Sequence, residues 1–396
     1  MESLNIEDSD TNHEFWDASI RQEKLSPLVK WAGGKTGELK YIHPNMPKKF
    51  DRYFEPFLGG GALYFSIDSD TEKIVNDFSH ELISLYKMVK KQDEQFLGNV
   101  KKIAYNWYFL NKIAKKHTRV IISIYKKYSN NSLSEQKLKD WIAKFALKNS
   151  IEFNDMLDSS FNTNIENFIK EIKKSLFNKI KRMKRIESER GKLTNNDIMD
   201  NFESALKSAL YVHLRHLYNN INKYSFNESF ATALFFFIRN YAYSGMFRYN
   251  KNGNFNVPYG GIGYNKKCLL QKYNYFKEDA LKNHLKHTTI ENKDFETFLK
   301  DNKPTKDDFI FLDPPYDSEF STYAKNEFNK DDQKRLANYL INDCPAKWMM
   351  VIKNTNFIFN LYSNKKLNLS SFNKKYLVSF QNRNNKNVKH LIIANY

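Results

Sequence analysis

Apolar and polar positions change rhythm twice along this chain of 396 residues. From Pro27 to about residue 97, short apolar runs alternate with amphipathic stretches. PLVKWAGGKTGELKYI (27–42) is an apolar start, a Gly-Gly turn and a helix-like stretch. RYFEPFLGGGALYFSI (52–67) reads as a short strand, a glycine turn and the apolar start of a helix, and KIVNDFSHELISLYKMVK (73–90) as a strand ending near Asp77, then an amphipathic helix. Strand, helix, strand, helix is the order of a parallel α/β sheet. Between 98 and 230 the glycines are Gly98 and Gly191, proline is absent, and apolar residues recur at helical spacing, as in WIAKFALKNSIEFNDML (141–157). FRYNKNGNFNVPYGGI (247–262) reads as a β-hairpin turning at Asn252-Gly253. From 285 onward the α/β rhythm returns, through HTTIENKDFETFL, DFIFLDPPY, the polar helix KDDQKRLANYL, KWMMVIKN and a final strand pair, LNLSSFNKKYLVSF and KHLIIANY. The pattern predicts an α/β, Rossmann-like sheet split in sequence. Its expected parts are a tail at 1–26, a first sheet part at 27–97, a mostly helical insert at 98–284 carrying the hairpin 247–262, and a second sheet part at 285–396.

Charge adds a partner class. The 63 Lys+Arg against 45 Asp+Glu leave +18, and residues 98–230 hold 25 basic against 13 acidic residues, or +12 of that excess. The densest stretch is KKSLFNKIKRMKR (173–185). A solvated helix face or a base-composition bias explains any single lysine; the regional imbalance points to a polyanion, most often nucleic acid. The two cysteines, Cys268 and Cys344, have no His or Cys neighbour at metal-ligand spacing, so neither a disulfide framework nor a metal site is expected. A reducing, cytoplasmic setting fits. No signal peptide or membrane-spanning run is expected, and TALFFFI (232–238) is short enough to read as core.

Three stretches carry candidate chemistry. AGGKT (32–36) invites a phosphate-loop reading, which fails because position 29 is Val where glycine is required. In EPFLGGGAL, the strand–glycine–helix order suits a nucleoside cofactor, and Asp77, 18 residues after Gly59 at the end of the next strand, stands where an acid takes ribose hydroxyls. Position 64 is Tyr, so the pyrophosphate spacing is not met; a nucleoside without a pyrophosphate fits better. At the end of FIFLDPPY, Pro314 and Pro315 lack backbone donors. What remains is the Asp313 carboxylate, the Pro314 carbonyl and the Tyr316 ring: acceptors beside a stacking wall. An exocyclic amine on a flat ring suits that corner, and acceptors aimed at its N–H groups favour positive charge developing on nitrogen. The alternative is a simple strand-ending Asp-Pro turn.

With these stretches in order, the chain resembles the Dam-type DNA adenine N6-methyltransferases, the α-group of the amino-methyltransferases. PLVKWAGGK resembles the opening motif, EPFLGGGALYF the S-adenosylmethionine loop, VNDFSHELISLYKMV the ribose-binding strand and helix, FRYNKNGNFNVPYGG the recognition hairpin, DFIFLDPPY with FSTYAKNEF the catalytic motif and its sequel, and HLIIANY the last strand. The motifs cover 27–97 and 236–396. The resemblance implies a methyltransferase sheet with an inserted target-recognition domain, S-adenosyl-L-methionine as cofactor, and duplex DNA as partner. Carried over by position, Trp31, Gly33, Gly34 and Lys35 would close on the cofactor's methionine side. Glu55, Pro56, Phe57, Gly59, Gly60 and Gly61 would line its pocket, and Asp77 would bind the ribose. Asp294 and Phe295 would meet its adenine. Asp313, also at the cofactor's edge, would hold a flipped target adenine with Pro314 and Tyr316, since N6 is not free for in-line attack inside a paired stack. Arg248 would read a guanine, with Tyr249, Asn250 and Asn252 beside it facing DNA.

The chain departs from the pattern in the length of 98–230, in RNYAYSGMFRYN at the hairpin entry where NRTGYNGLYRxN is commoner, and in Lys353 where a small polar residue is usual. The target sequence is therefore open, with GATC carried only loosely. A restriction–modification or phage setting, with a cognate restriction endonuclease as partner, and a monomer or weak dimer are the expectations. Two other classes compete: an RNA guanine N2-methyltransferase, disfavoured by motif order and the hairpin, and a non-catalytic DNA-binding subunit, disfavoured by the intact cofactor loop, Asp77 and DPPY.

Overall fold

In a computed structural model of the chain, the structure describes residues 25–31, 33–157, 160–316, 328–363, 365–375 and 387–396. The tail 1–24, Ala32 and most of the expected sequel FSTYAKNEF lie outside the described residues.

Seven strands form one sheet: β1 (Arg52–Glu55), β2 (Glu72–Asn76), β3 (Thr288–Glu291), β4 (Phe309–Leu312), β5 (Lys347–Lys353), β6 (Asn368–Lys375) and β7 (Asn387–Ala394). Their order is β3-β2-β1-β4-β5-β7-β6. The first five are parallel and β7 runs antiparallel to both neighbours. The short apolar runs follow from burial on both faces. Tyr53, Val75, Phe309, Phe311, Met349 and Val351 face one apolar cluster, while Phe54, Ile74, Ile310, Leu312, Trp348, Met350 and Ile352 face the other. The expected split core is thus one doubly covered sheet.

Helix α1 (His80–Lys91) covers the first face and is started by Ser79, whose hydroxyl accepts from Leu82 N–H. The chain then leaves the sheet through α2 (Glu94–Lys116), α3 (Thr118–Ser129), α4 (Glu135–Lys148), α5 (Ser150–Met156), α6 (Ile165–Arg190), α7 (Asn195–Asn219) and α8 (Glu228–Tyr241). It returns through α9 (Leu269–Phe276) and α10 (Asp279–Lys286) to β3. Residue 98 lies inside α2, so the passage into the helical part is a helix rather than a linker. One apolar cluster runs from the sheet face through these helices. The second face carries α11 (Phe295–Asn302), α12 (Lys330–Asn338) and α13 (Asn356–Tyr362).

Two local expectations are corrected. After the glycine turn, Tyr64–Ser66 makes a single 3-10 turn instead of a full helix, because Ile67 is already extended and the polar run Asp68–Thr71 follows. The hairpin holds isolated bridges, Tyr249 to Phe255 and Ala242 to Tyr259, not continuous strands. Its loop is three residues, 251–253, between Asn250 and Asn254. Gly253 at φ 74° supplies the left-handed residue, and Asn250 Oδ1 accepts from the N–H groups of Asn252 and Asn254, both at 3.0 Å.

Candidate active site

The strand order reverses between β1 and β4, and the carboxyl ends of those strands are where an open α/β sheet binds its ligands. β1 ends at Glu55, β2 at Asn76 with Asp77 next, and β4 at Leu312 with Asp313 next. Three carboxylates therefore converge on one edge. Burial pushes Glu55 well above the ordinary carboxyl range, the Tyr53 hydroxyl (2.6 Å to Oε2) opposes this, and the charges of Asp313 and Asp77 push further up. Burial also raises Asp77, against hydrogen bonds from the backbone N–H groups of Ser79 (2.9 Å) and Gly59 (2.8 Å). Those bonds tie the strand end to the helix start and to the glycine turn. Such a cluster of acids suits a cationic nucleoside with hydroxyls to donate.

The glycine turn is shaped by its neighbours. Gly59 has φ 50°, and a Cβ there would lie 3.0 Å from the Trp31 ring. Gly61 has φ 70°, and a Cβ there would meet the Tyr86 hydroxyl at 2.7 Å. Trp31 covers this turn, with Gly60 beneath it. Asn76, buried, donates to the carbonyls of Pro56 and Lys293 (both 3.0 Å) and accepts from Lys293 N–H (2.8 Å), holding the loops after β1 and β3 together.

Beyond β3, Asp294 caps α11 by accepting from Glu296 N–H (3.0 Å). Burial works against its charge, but the Arg335 guanidinium, bidentate at 2.9 and 2.8 Å, outweighs that and holds the carboxyl below its usual range. Phe295 is buried 5.5 Å from Phe57 and 5.7 Å from Phe328, with the Arg335 guanidinium 4.5 Å above its ring. The expected acid–aromatic pair is thus in place beside Phe57, with its acid already engaged by an arginine.

The corner at Asp313 holds a nitrogen cation from the chain itself. The Lys35 ammonium pairs with the Asp313 carboxylate, donates to Gly33 O (3.0 Å) and Tyr316 Oη (3.1 Å), and lies 5.5 Å from the Tyr316 ring centre. Lys35 is 3% exposed in its side chain and Asp313 19%. Burial raises the Asp313 carboxyl, with Lys35 opposing. Behind Tyr316, His390 of β7 packs edge-on at 5.5 Å; burial first, then Lys35 and Lys374, lower it to about 3. Lys374 of β6 is paired with Glu38 at 2.6 Å. Glu55, Asp77 and Asp313, with the Lys35 and Tyr316 beside them, are therefore brought to one sheet edge, as their motifs imply.

Residues 31–380 match the family described as D12 class N6 adenine-specific DNA methyltransferase. The chain belongs to this family. It is 26% identical over 377 residues to the type II methyltransferase M.CviBI of Paramecium bursaria Chlorella virus NC1A, covering 94% of this chain and all of that protein. It is 26% identical over 390 residues to M.MjaIII of Methanocaldococcus jannaschii, with the same coverage. The Retron Ec67 DNA adenine methylase of Escherichia coli is 30% identical over 345 residues, 86% of this chain and 81% of that protein. These matches run through residues 98–230, so the long helical segment is shared with full-length relatives, and the gap left by the motifs between 97 and 236 closes.

In this methyltransferase the hairpin lies on the inserted helices. Asn219 at the end of α7 pairs both ways with the Phe255 backbone, Oδ1 accepting at 2.9 Å and Nδ2 donating at 3.0 Å. Arg215 (2.7 Å) and the Tyr211 hydroxyl (2.9 Å) both donate to Val257 O. Arg248 is exposed, its Nε donating to Asn256 (2.9 Å), and Asn252 is exposed at the tip. Tyr249 turns inward, its hydroxyl 3.3 Å from that of Tyr218, and burial raises it to about 12. Asn250 is used by the turn. Arg239, buried on α8, donates to Lys30 O (2.8 Å) and Gly245 O (3.3 Å) and lies against the rings of both Trp31 and Phe247. It joins the opening motif to the hairpin entry. Neither Asn219 nor Arg239 stands out in the sequence; the departure RNYAYSG was the available signal for Arg239. Among the described residues no group of three or more metal-ligating side chains occurs, and no helix is long and apolar enough to cross a membrane.

Proposed function

We propose that the corner after β4 holds the N6 amine of an adenine flipped out of duplex DNA, for direct methylation. The observation that carries this reading is the Lys35 ammonium in that corner, since it has the charge that the target nitrogen acquires during attack. The Asp313 carboxylate and the Pro314 carbonyl accept the two N–H groups, and the Tyr316 ring stacks on the base. As the nitrogen lone pair forms the new N–C bond, the bond from the methyl carbon to sulfur would break with its electrons left on a neutral thioether; the nitrogen becomes positive, and the fixed acceptors favour that charge over the neutral amine. The extra proton then passes to water, and neutral N6-methyladenine leaves. Lys35 gives up its place, because it and the amine claim the same acceptors.

S-adenosylmethionine, bound at the carboxylate cluster, would supply a sulfonium methyl group. Glu55, Asp77 and the Gly59–Gly61 turn, covered by Trp31, would hold it. Gly33, Gly34 and Lys35 would close its methionine side, and Pro56, Phe57, Asp294 and Phe295 its adenine side. Arg248 would read a base edge in the major groove with Asn252 beside it, Tyr249 and Asn250 shaping the hairpin from within. The helical segment 98–230 would act as the target-recognition body, its excess of +12 facing phosphates. A cognate restriction endonuclease belongs to this reading.

Incubation with tritiated S-adenosylmethionine and either duplex DNA or RNA tests it. Label in DNA adenine, and its loss in Asp313→Ala, is expected. No label in DNA overturns the substrate; an active Asp313→Ala protein overturns the mechanism.

A further inference from the structure

Beyond Leu312 the turn Asp313–Tyr316 has left the sheet ladder. Two of its four residues are prolines and cannot donate from the backbone. Both rings lock φ, and ψ of Pro314 is restricted by the proline after it. Two soft backbone torsions remain between the acceptors and the stacking ring, ψ of Pro315 and φ of Tyr316, one on each side of the peptide plane that carries the Pro315 carbonyl.

The Pro315 carbonyl accepts a hydrogen bond from Gln333 Nε2 at 2.7 Å. Gln333 lies on α12 and is fully buried. Its Oε1 is also buried and, among the described residues, meets no donor. The amide orientation follows from the contact, since the reverse would set oxygen against oxygen. An orphaned buried acceptor is destabilising. Methionine fills similar space without that cost, so packing alone does not favour glutamine here. The helix carrying it is firmly anchored. Asn329 and Asp332 form a capping box, and Arg335 is bidentate on Asp294.

We propose that Gln333 is a positioning residue: its bond to Pro315 O fixes the peptide plane between Pro315 and Tyr316 and thereby sets Tyr316 relative to Asp313. This rests on the reading of the corner as the amine site. Gln333 touches neither reactant.

The test compares Gln333→Met and Gln333→Glu with the wild type, using labelled S-adenosylmethionine and DNA across pH 6–8.5. In Gln333→Met, kcat falls by about 10²-fold, the effect of a misplaced reacting group. KM for cofactor and DNA stays within about threefold, and Tm is not lowered. A glutamate buried there titrates well above its ordinary range and, once protonated, donates to Pro315 O as the amide does. The ratio of Gln333→Glu kcat to wild-type kcat therefore rises as pH falls, while the Gln333→Met ratio stays flat. A Gln333→Met enzyme with wild-type kcat, or a Gln333→Glu ratio as flat as that of Gln333→Met, overturns the proposal. A wild-type protein inactive on DNA overturns the amine-site reading instead, so the two failures are told apart.

Discussion

Replacing Lys35 with methionine removes the ammonium from the Asp313 carboxylate while keeping most of the side chain's volume. At contact distance, and with the effective dielectric typical of such sites, a unit charge pair is worth about 4 kcal/mol. Asp313 is 19% exposed, and that opening to solvent leaves only part of this. The sign is fixed by the role of the group. Protonation of Asp313 removes the negative charge that favours the developing cation and turns one oxygen into a donor, so activity is lost as pH falls through its pKa. Burial already raises that value and Lys35 holds it down, so removing the lysine moves the loss to higher pH. The acid limb of kcat/KM for DNA reports the free enzyme, in which the pair is intact; the limb of kcat reports the complex, from which the amine has displaced the lysine. The expected outcome is an upward shift of the acid limb in kcat/KM and a much smaller one in kcat, read from initial rates at saturating S-adenosylmethionine between pH 5 and 9. Lys35→Arg, which keeps the charge, leaves the limb near its wild-type place. An unmoved limb in Lys35→Met, or equal shifts in both profiles, refutes the displacement of the lysine by the amine.

Arg248→Ala is expected to lose discrimination between target and non-target DNA more than general affinity; equal loss on all sequences would reassign it to phosphate contact. Asn219→Ala removes two bonds to the Phe255 backbone, about 1 kcal/mol each, and should relax sequence preference while cofactor binding measured by calorimetry stays unchanged. DNA affinity should drop by at least about tenfold between 50 and 200 mM salt as counterions are released, and a flat titration would turn the basic helices away from DNA. Arg52→Ala leaves Asp308 buried without its guanidinium and should cost roughly 3 kcal/mol in denaturant unfolding at pH 7. Burial opposes the charge of Asp308, but the Arg52 bonds prevail and lower its carboxyl. That stability is therefore full above the unfolded value of about 4 and fades as pH falls below it, so the two proteins converge in acid.

The strands and the acids at their ends were legible because each depends on a few adjacent residues. FIFL has to be buried on both faces, and Asp77 and Asp313 follow their strands directly. Lys35 was readable as a motif lysine but its pairing was not, since nothing local in AGGKT points to a carboxylate in DPPY, 278 residues away. Gln333 and Asn219 were invisible, and Arg239 was marked only by the departure RNYAYSG, for a related reason. Each sits on a helix whose pattern looks ordinary, and its meaning lies in one backbone carbonyl or N–H that another segment presents. The turn of the hairpin falls at Asn252-Gly253 as the sequence signals; what Asn-Gly did not signal is the three-residue loop, 251–253, that the Asn250 side chain builds. The helix expected after the glycine turn failed because polar turn-formers cut it short.

β1 and β4 lie side by side, yet Arg52 meets Asp308 across a separation of 256 residues. Closing a flexible loop of that length costs about 5 kcal/mol in chain entropy, which the pairing of two four-residue strands does not readily offset. The intervening helices shorten the problem. Once they have packed, α1 leads away from β2 and α10 leads back to β3, and Lys73 N–H meets the carbonyl of His287 at 2.9 Å. The insert thus acts as a scaffold: it shares one apolar core with the sheet face and brings the two halves of the sheet within reach. A nascent chain that has not yet delivered β4 has the glycine turn and Asp77 but lacks Asp313 and its proline turn. The three carboxylates of the sheet edge are therefore together only after nearly four-fifths of the protein has been made.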